Sequence, residues 1–66
     1  MDEMSKLKHL IEHWVEHNEE HAQNYLNWAA KAADMDRPEL AAALKELAGE
    51  TQRLKPLFDL AHKECT

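Results

Sequence analysis

Mostly apolar residues recur along the chain at the three- and four-residue spacings of a packed helix. A first series comprises Met4, Leu7, Ile11, Trp14, Asn18, His21, Tyr25, Trp28, Ala32 and Met35. A second series comprises Leu40, Leu44, Leu47, Thr51, Leu54, Phe58, Ala61 and Cys65. Such spacings place side chains on one face of an α-helix. The pattern predicts a helix at about 3–33, a turn at about 34–36 and a second helix at about 37–63.

The second predicted helix carries its own local signals. Asp36 and Glu39 have the spacing of a capping box, and Pro38 lies in the first turn, where its missing N–H costs no hydrogen bond. Pro56 lies inside the helix, where a proline removes one hydrogen bond and clashes with the preceding turn. Because solvent can satisfy the freed carbonyl on the outward face, we expect a kink near Pro56 rather than a break.

The chain is short, and its predicted apolar face is wide. Its 66 residues form a single domain, 1–66, and a core of this size needs a disulfide, a metal or oligomerisation. Small residues suggest a register in which Ala22 lies opposite Ala48 and Ala29 lies opposite Ala41. We predict an all-α fold, a two-helix antiparallel hairpin that dimerises into a four-helix bundle.

Composition and charge exclude several classes of protein. The net charge of -5 has the wrong sign for binding phosphates, so no nucleic-acid partner is expected. No apolar run is long enough for a membrane span, and the N-terminus does not resemble a secretion signal. The single cysteine, Cys65, fits a reducing cytoplasm. Its place after Phe58 and Ala61 predicts a buried thiol, in preference to a metal site with Asp59 and His62.

The first helix carries a histidine at every fourth position, the one chemically suggestive feature of the chain. The stripe and its nearby carboxylates are His9, His13, His17, His21, Glu16 and Glu20. Imidazoles one turn apart can share Ni²⁺, Zn²⁺ or Cu²⁺, with carboxylates as further ligands. Histidine and glutamate are also common on solvated helix faces. We therefore favour a polar exterior face and keep a transition-metal site as the alternative.

Two polar residues interrupt the inward series in the middle of the first helix. Asn18 and His21 stand where most helices would place leucine, and the predicted register brings them near Thr51 and Gln52. We interpret these residues as a hydrogen-bonded polar layer that fixes the register and the orientation of a dimer. A buried metal or ligand site is the alternative.

A local resemblance to known proteins involves the same segment. Asn18-Glu19-Glu20-His21-Ala22, with Tyr25 and Trp28-Ala29, resembles the helix of ferritin-like and rubrerythrin-type proteins that carries their Glu-x-x-His iron ligands. In those families the Glu and the His bind iron, and other helices supply inward carboxylates. Here Asn18 stands at the position of the Glu, and the second helix has no Glu-x-x-His. The chain is also similar to short, uncharacterised His- and Glu-rich helical hairpin proteins of prokaryotes, which implies no activity.

The sequence offers no catalytic arrangement. No Ser/His/Asp set, glycine-rich phosphate loop or pair of inward carboxylates can be assembled, and a small hairpin leaves little room for a substrate cavity. We predict that the chain is not an enzyme but a small dimeric interaction or structural module. The alternative is a transition-metal-binding protein for storage, delivery or sensing that uses the His-rich first helix.

Overall fold

The computed structural model describes residues 2–65, which form three helices and no strand. Helix α1 spans Glu3–Asp34, α2 spans Pro38–Gln52 and α3 spans Lys55–Lys63. The C-terminal half of α1 packs against α2, and its N-terminal half packs against α3. The all-α class predicted from the sequence is confirmed.

Helix α1 begins with a side-chain cap. The Asp2 carboxylate accepts a hydrogen bond from the backbone N–H of Ser5 at 2.8 Å, which satisfies one of the N–H groups that a helix leaves open at its start. This hydrogen bond holds the pKa of Asp2 below its ordinary value, because it stabilises the charged form of the carboxyl group.

The turn after α1 is closed by the backbone rather than by the predicted capping box. The N–H of Arg37 donates to the carbonyl oxygen of Ala32 at 3.0 Å, and the N–H of Asp36 donates to that of Ala33 at 3.1 Å. These two bonds form a Schellman motif, which requires a left-handed residue, and Asp36 has φ 60°. Arg37, not Asp36, is the N-cap of α2, and its side chain makes no capping hydrogen bond. The capping-box prediction was therefore wrong, since Asp36 is used to end α1.

The segment predicted as one helix at 37–63 with a kink near Pro56 is divided into two helices, α2 and α3. Arg53 and Leu54 keep right-handed helical φ and ψ angles but form a turn between the two helices, and α3 then begins one residue before Pro56. Pro56 has no N–H to donate to the carbonyl of Gln52, whereas its fixed φ suits the first turn of a new helix. The N–H of Leu54 instead donates to Thr51 at 3.2 Å in a tighter turn. The proline thus starts α3 and ends the continuity of α2.

The core between the helices is built mainly from small residues. The buried apolar residues are Ile11, Ala22, Ala29, Ala32, Ala41, Ala48 and Cys65. All four alanines of the predicted register belong to this set. No large side chain among residues 2–65 is fully buried. Close approach of α1 and α2 through alanine explains why the larger apolar side chains remain at the flanks of the hairpin.

Candidate functional site

The polar layer predicted in the core consists of fewer residues than expected. Asn18 and Thr51 are half-buried, and the Asn18 side-chain amide donates a hydrogen bond to the backbone carbonyl oxygen of Thr51 at 2.8 Å. His21 and Gln52 are exposed. The His21 ring lies beside that of Tyr25, with centroids 6.2 Å apart and planes 17° apart. In the single chain α2 does not cover this side of α1, so the polar layer with His21 stays a prediction for the dimer.

A groove between α1 and α2 lies next to this contact. It has a volume of about 400 Å³ and is lined by Asn18, Glu19, Ala22, Gln23, Gln52 and Lys55. The groove is shallow and lined largely by polar side chains of both charges, with Glu19 on α1 and Lys55 on α3.

The histidine stripe is exposed along its whole length, and its members have different neighbours. His9 lies with its Nδ1 atom 3.5 Å from a carboxylate oxygen of Glu12. His13 and His17 are in direct contact, with their Nε2 atoms 2.9 Å apart and their ring planes 73° apart. The ring centroids of His17 and His21 are 6.2 Å apart. The stripe therefore contains one close pair.

The six candidate metal ligands are not gathered into one site. Within residues 2–65, no group of three or more His, Cys, Asp or Glu side chains is arranged to hold a metal ion. Glu16 lines a second groove of about 280 Å³ together with Glu12, Val15, Asp59 and His62. Glu20 is exposed on α1. The diagonal path of the stripe explains this separation, since each residue is rotated by about 40° from the one before.

A polar contact between α1 and α3 is the site feature that sequence reasoning missed. The imidazole Nε2 of His62 lies 2.9 Å from a carboxylate oxygen of Glu12, which accepts its hydrogen bond. This hydrogen bond is the main cause of a lowered pKa at Glu12, and positive charge on His62, His9 and Lys8 acts in the same direction. The predicted register, with Ala22 opposite Ala48, could have indicated this contact. It places residue 12 opposite residue 58, which lies one turn before His62.

The end of α3 matches one prediction from the sequence. Cys65 is buried, as its place in the inward series predicted, and its thiol is free of any disulfide. His62, one turn earlier, faces Glu12 rather than the thiol. The burial of Cys65 makes its accessibility a direct measure of whether the end of α3 is docked on α1.

A family model supplies the identification of the chain. The model of a domain of unknown function, DUF8180, matches residues 7–65, which is most of the chain. The chain belongs to the DUF8180 family. No curated protein matches it, and no solved structure does.

The match places both polar contacts between helices, Asn18 with Thr51 and Glu12 with His62, inside the DUF8180 domain. The close pair of His13 and His17 also lies inside it. None of the helices in residues 2–65 has the length and apolar character needed to cross a membrane. The match to DUF8180 thus covers both the contacts that join the helices and the histidine pair on α1.

Proposed function

We propose that the chain is a small interaction module that pairs with a second copy through one apolar face, forming a four-helix bundle. Two exposed stripes with strict seven-residue spacing carry this proposal. On α1 the stripe comprises Leu7, Trp14, His21, Trp28 and Met35, and on α2 and the following turn it comprises Leu40, Leu47 and Leu54. A seven-residue period is typical of helices that pack along their length against other helices.

Both stripes lie on the same side of the hairpin. Gln52 lines the first groove and Glu12 lines the second. These two grooves define one side of the hairpin. Trp14 follows Glu12 by two residues, and Leu54 follows Gln52 by two residues. Side chains two residues apart on a helix point about 160° away from each other, so Trp14 and Leu54 lie on the other side of the hairpin. A shallow apolar depression lined by Leu54, Leu57 and Phe58 lies on that other side. The hairpin thus has one polar side and one apolar side, as expected of half a bundle.

The exposed area supports a partner of the chain's own size. The chain exposes 5253 Å², whereas a compact monomer of 7.7 kDa exposes about 4300 Å². The excess of roughly 900 Å² is close to the roughly 800 Å² that each partner buries in a standard interface. The radius of gyration of 15.5 Å also exceeds the roughly 11 Å of a compact domain of this length. Face-to-face pairing of two hairpins would cover the excess area and reduce the difference in radius of gyration.

Light scattering after size exclusion tests this proposal on the untagged chain at micromolar concentration. We expect twice the chain mass, and we expect the thermal midpoint to rise with concentration because unfolding is coupled to dissociation. Leu47→Glu, in the centre of the α2 stripe, should give the single-chain mass. The control is Leu26→Glu, which introduces the same charge at an exposed leucine about 160° around α1 from Trp28.

A wild-type chain that stays monomeric and unfolds cooperatively at a midpoint independent of concentration contradicts the proposal. So does a dimer that Leu26→Glu dissociates as readily as Leu47→Glu, because the interface would then lie elsewhere. Circular dichroism of both variants distinguishes loss of association from loss of helix.

A further inference from the structure

The close histidine pair beside the α1 stripe has the geometry of a bidentate metal ligand. His13 and His17 lie one helical turn apart, with ring centroids 4.3 Å apart and Nε2 atoms 2.9 Å apart. Both residues are exposed in the single chain, where an ion can reach them from solvent. We propose that the Nε2 atoms of His13 and His17 together bind one divalent transition-metal ion, with Cu²⁺ and Ni²⁺ as the preferred ions.

The separation of the two nitrogens favours these ions. Imidazole nitrogens bind such metals at about 2.0 Å, and at this bond length two nitrogens 2.9 Å apart subtend about 90° at the metal. That angle is the one between neighbouring ligands in square-planar and octahedral complexes. A tetrahedral Zn²⁺ site asks for about 109°, which corresponds to a nitrogen separation of roughly 3.3 Å. Square-planar and tetragonal sites with nitrogen and oxygen ligands are typical of Cu²⁺ and Ni²⁺.

The protonation of the pair is compatible with binding. In the metal-free chain, the 2.9 Å separation is that of an N–H···N hydrogen bond in which one ring donates from Nε2 and the other accepts. Binding requires the lone pairs of both Nε2 atoms. The donated proton therefore moves to the Nδ1 atom of its own ring, and two metal–nitrogen bonds replace the hydrogen bond. Neutral rings lose no proton, and the metal keeps its oxidation state.

The remaining coordination positions of the metal are open to water. Within the described residues 2–65, no third His, Cys, Asp or Glu side chain joins the pair in a metal-binding group. The His21 ring lies one turn further on, and its centroid is 6.2 Å from that of His17. The net charge of -5 attracts cations to the chain as a whole. The pair is therefore an accessible site that leaves labile positions on the ion.

Titration of the untagged, metal-free chain with CuCl₂, NiCl₂ and ZnCl₂ by calorimetry tests the proposal. We expect one Cu²⁺ per chain with a micromolar-range Kd, weaker binding of Ni²⁺ and the weakest binding of Zn²⁺. Trp14, next to His13 in sequence, should be quenched by Cu²⁺, and a Trp28→Phe background removes the signal of the other tryptophan. Pulsed electron paramagnetic resonance of the Cu²⁺ complex should show two equivalent imidazoles.

Matched variants separate this pair from the other histidines of the chain. His13→Gln and His17→Gln should each weaken Cu²⁺ binding about tenfold or more. His9→Gln and His62→Gln, which remove a histidine beside Glu12 instead, should change it by less than about twofold. Absence of heat and quenching up to millimolar Cu²⁺ would overturn the proposal. So would one coupled imidazole instead of two, or equal losses in the His9→Gln and His13→Gln variants.

Discussion

The Asn18 side chain donates a hydrogen bond to the backbone carbonyl oxygen of Thr51, 33 residues away in sequence and 2.8 Å away in space. The carbonyl lies in the last turn of α2, and it also accepts a hydrogen bond from the backbone N–H of Leu54 at 3.2 Å. Pro56 ends the helical ladder shortly afterwards. Asn18 of α1 thus contributes a hydrogen bond to a carbonyl at the end of α2. This contact fixes the position of α1 relative to α2 close to the turn between α2 and α3.

We predict that Asn18→Ala lowers the free energy of unfolding by about 1 kcal/mol relative to Asn24→Ala, because it removes the shorter of the two hydrogen bonds to the Thr51 carbonyl and leaves only that from the Leu54 N–H. Asn24 is exposed on the same helix, so both variants share the same gain in helix propensity. Urea unfolding at one fixed chain concentration measures the difference. Equal stabilities of the two variants would show that the hydrogen bond from Asn18 contributes nothing.

We predict that acid loosens α3 from α1. The hydrogen bond from His62 lowers the pKa of Glu12 from its ordinary value of 4.5. The contact between Glu12 and His62 therefore contributes to the docking of α3 on α1 above pH 4.5. That contribution is lost as the pH falls through the lowered value. The reactivity of the buried Cys65 thiol with 4,4′-dithiodipyridine, divided by that of the urea-unfolded chain at the same pH, should rise between about pH 5 and pH 3.

Glu12→Gln should show this faster thiol reaction already at neutral pH, because it removes the carboxylate that accepts from His62. Glu16→Gln is the control, since Glu16 lies in the same groove one turn further along α1. A Glu12→Gln chain that protects Cys65 as well as the control at neutral pH and in acid would rule out this role of the contact.

We predict that Asp36→Gly stabilises the chain by about 0.5–1 kcal/mol. Asp36 holds a left-handed conformation with φ 60°, in which a side chain carries a steric cost that glycine avoids. Asp34→Gly, two residues earlier within α1, should be destabilising because the residue there is helical. Thermal unfolding compares the two variants. A fall in stability in Asp36→Gly would mean that the turn depends on the aspartate side chain.

We predict that Gly49→Ala raises the free energy of unfolding by about 0.5–1 kcal/mol. Gly49 lies inside α2, and a methyl group added there meets no neighbouring atom within 4 Å. Alanine removes backbone freedom from the unfolded chain at no steric cost. Ala42→Gly, at an exposed position of the same helix, should lower stability by a similar amount. A destabilised Gly49→Ala dimer would indicate that this position is covered by the second copy.

The sequence by itself determined the all-α class, the position of the turn and the burial of the four alanines. These features depend on local spacing and on side-chain size. Apolar residues repeated at helical intervals define an apolar face of the helix. Small residues at matching positions on two helices allow the helices to approach closely there. The burial of Cys65 follows from the same spacing.

Only the tertiary structure decided which inward residues α2 covers and where α3 points. A heptad pattern predicts one apolar face, but α2 covers only part of it, which leaves His21 and Trp14 exposed beside the buried Ile11. Proline is compatible with both a kink and a break. The contact of Glu12 with His62 depends on the direction of the chain after that break. The approach of His13 to His17 depends on side-chain rotamers, which sequence spacing permits but does not select.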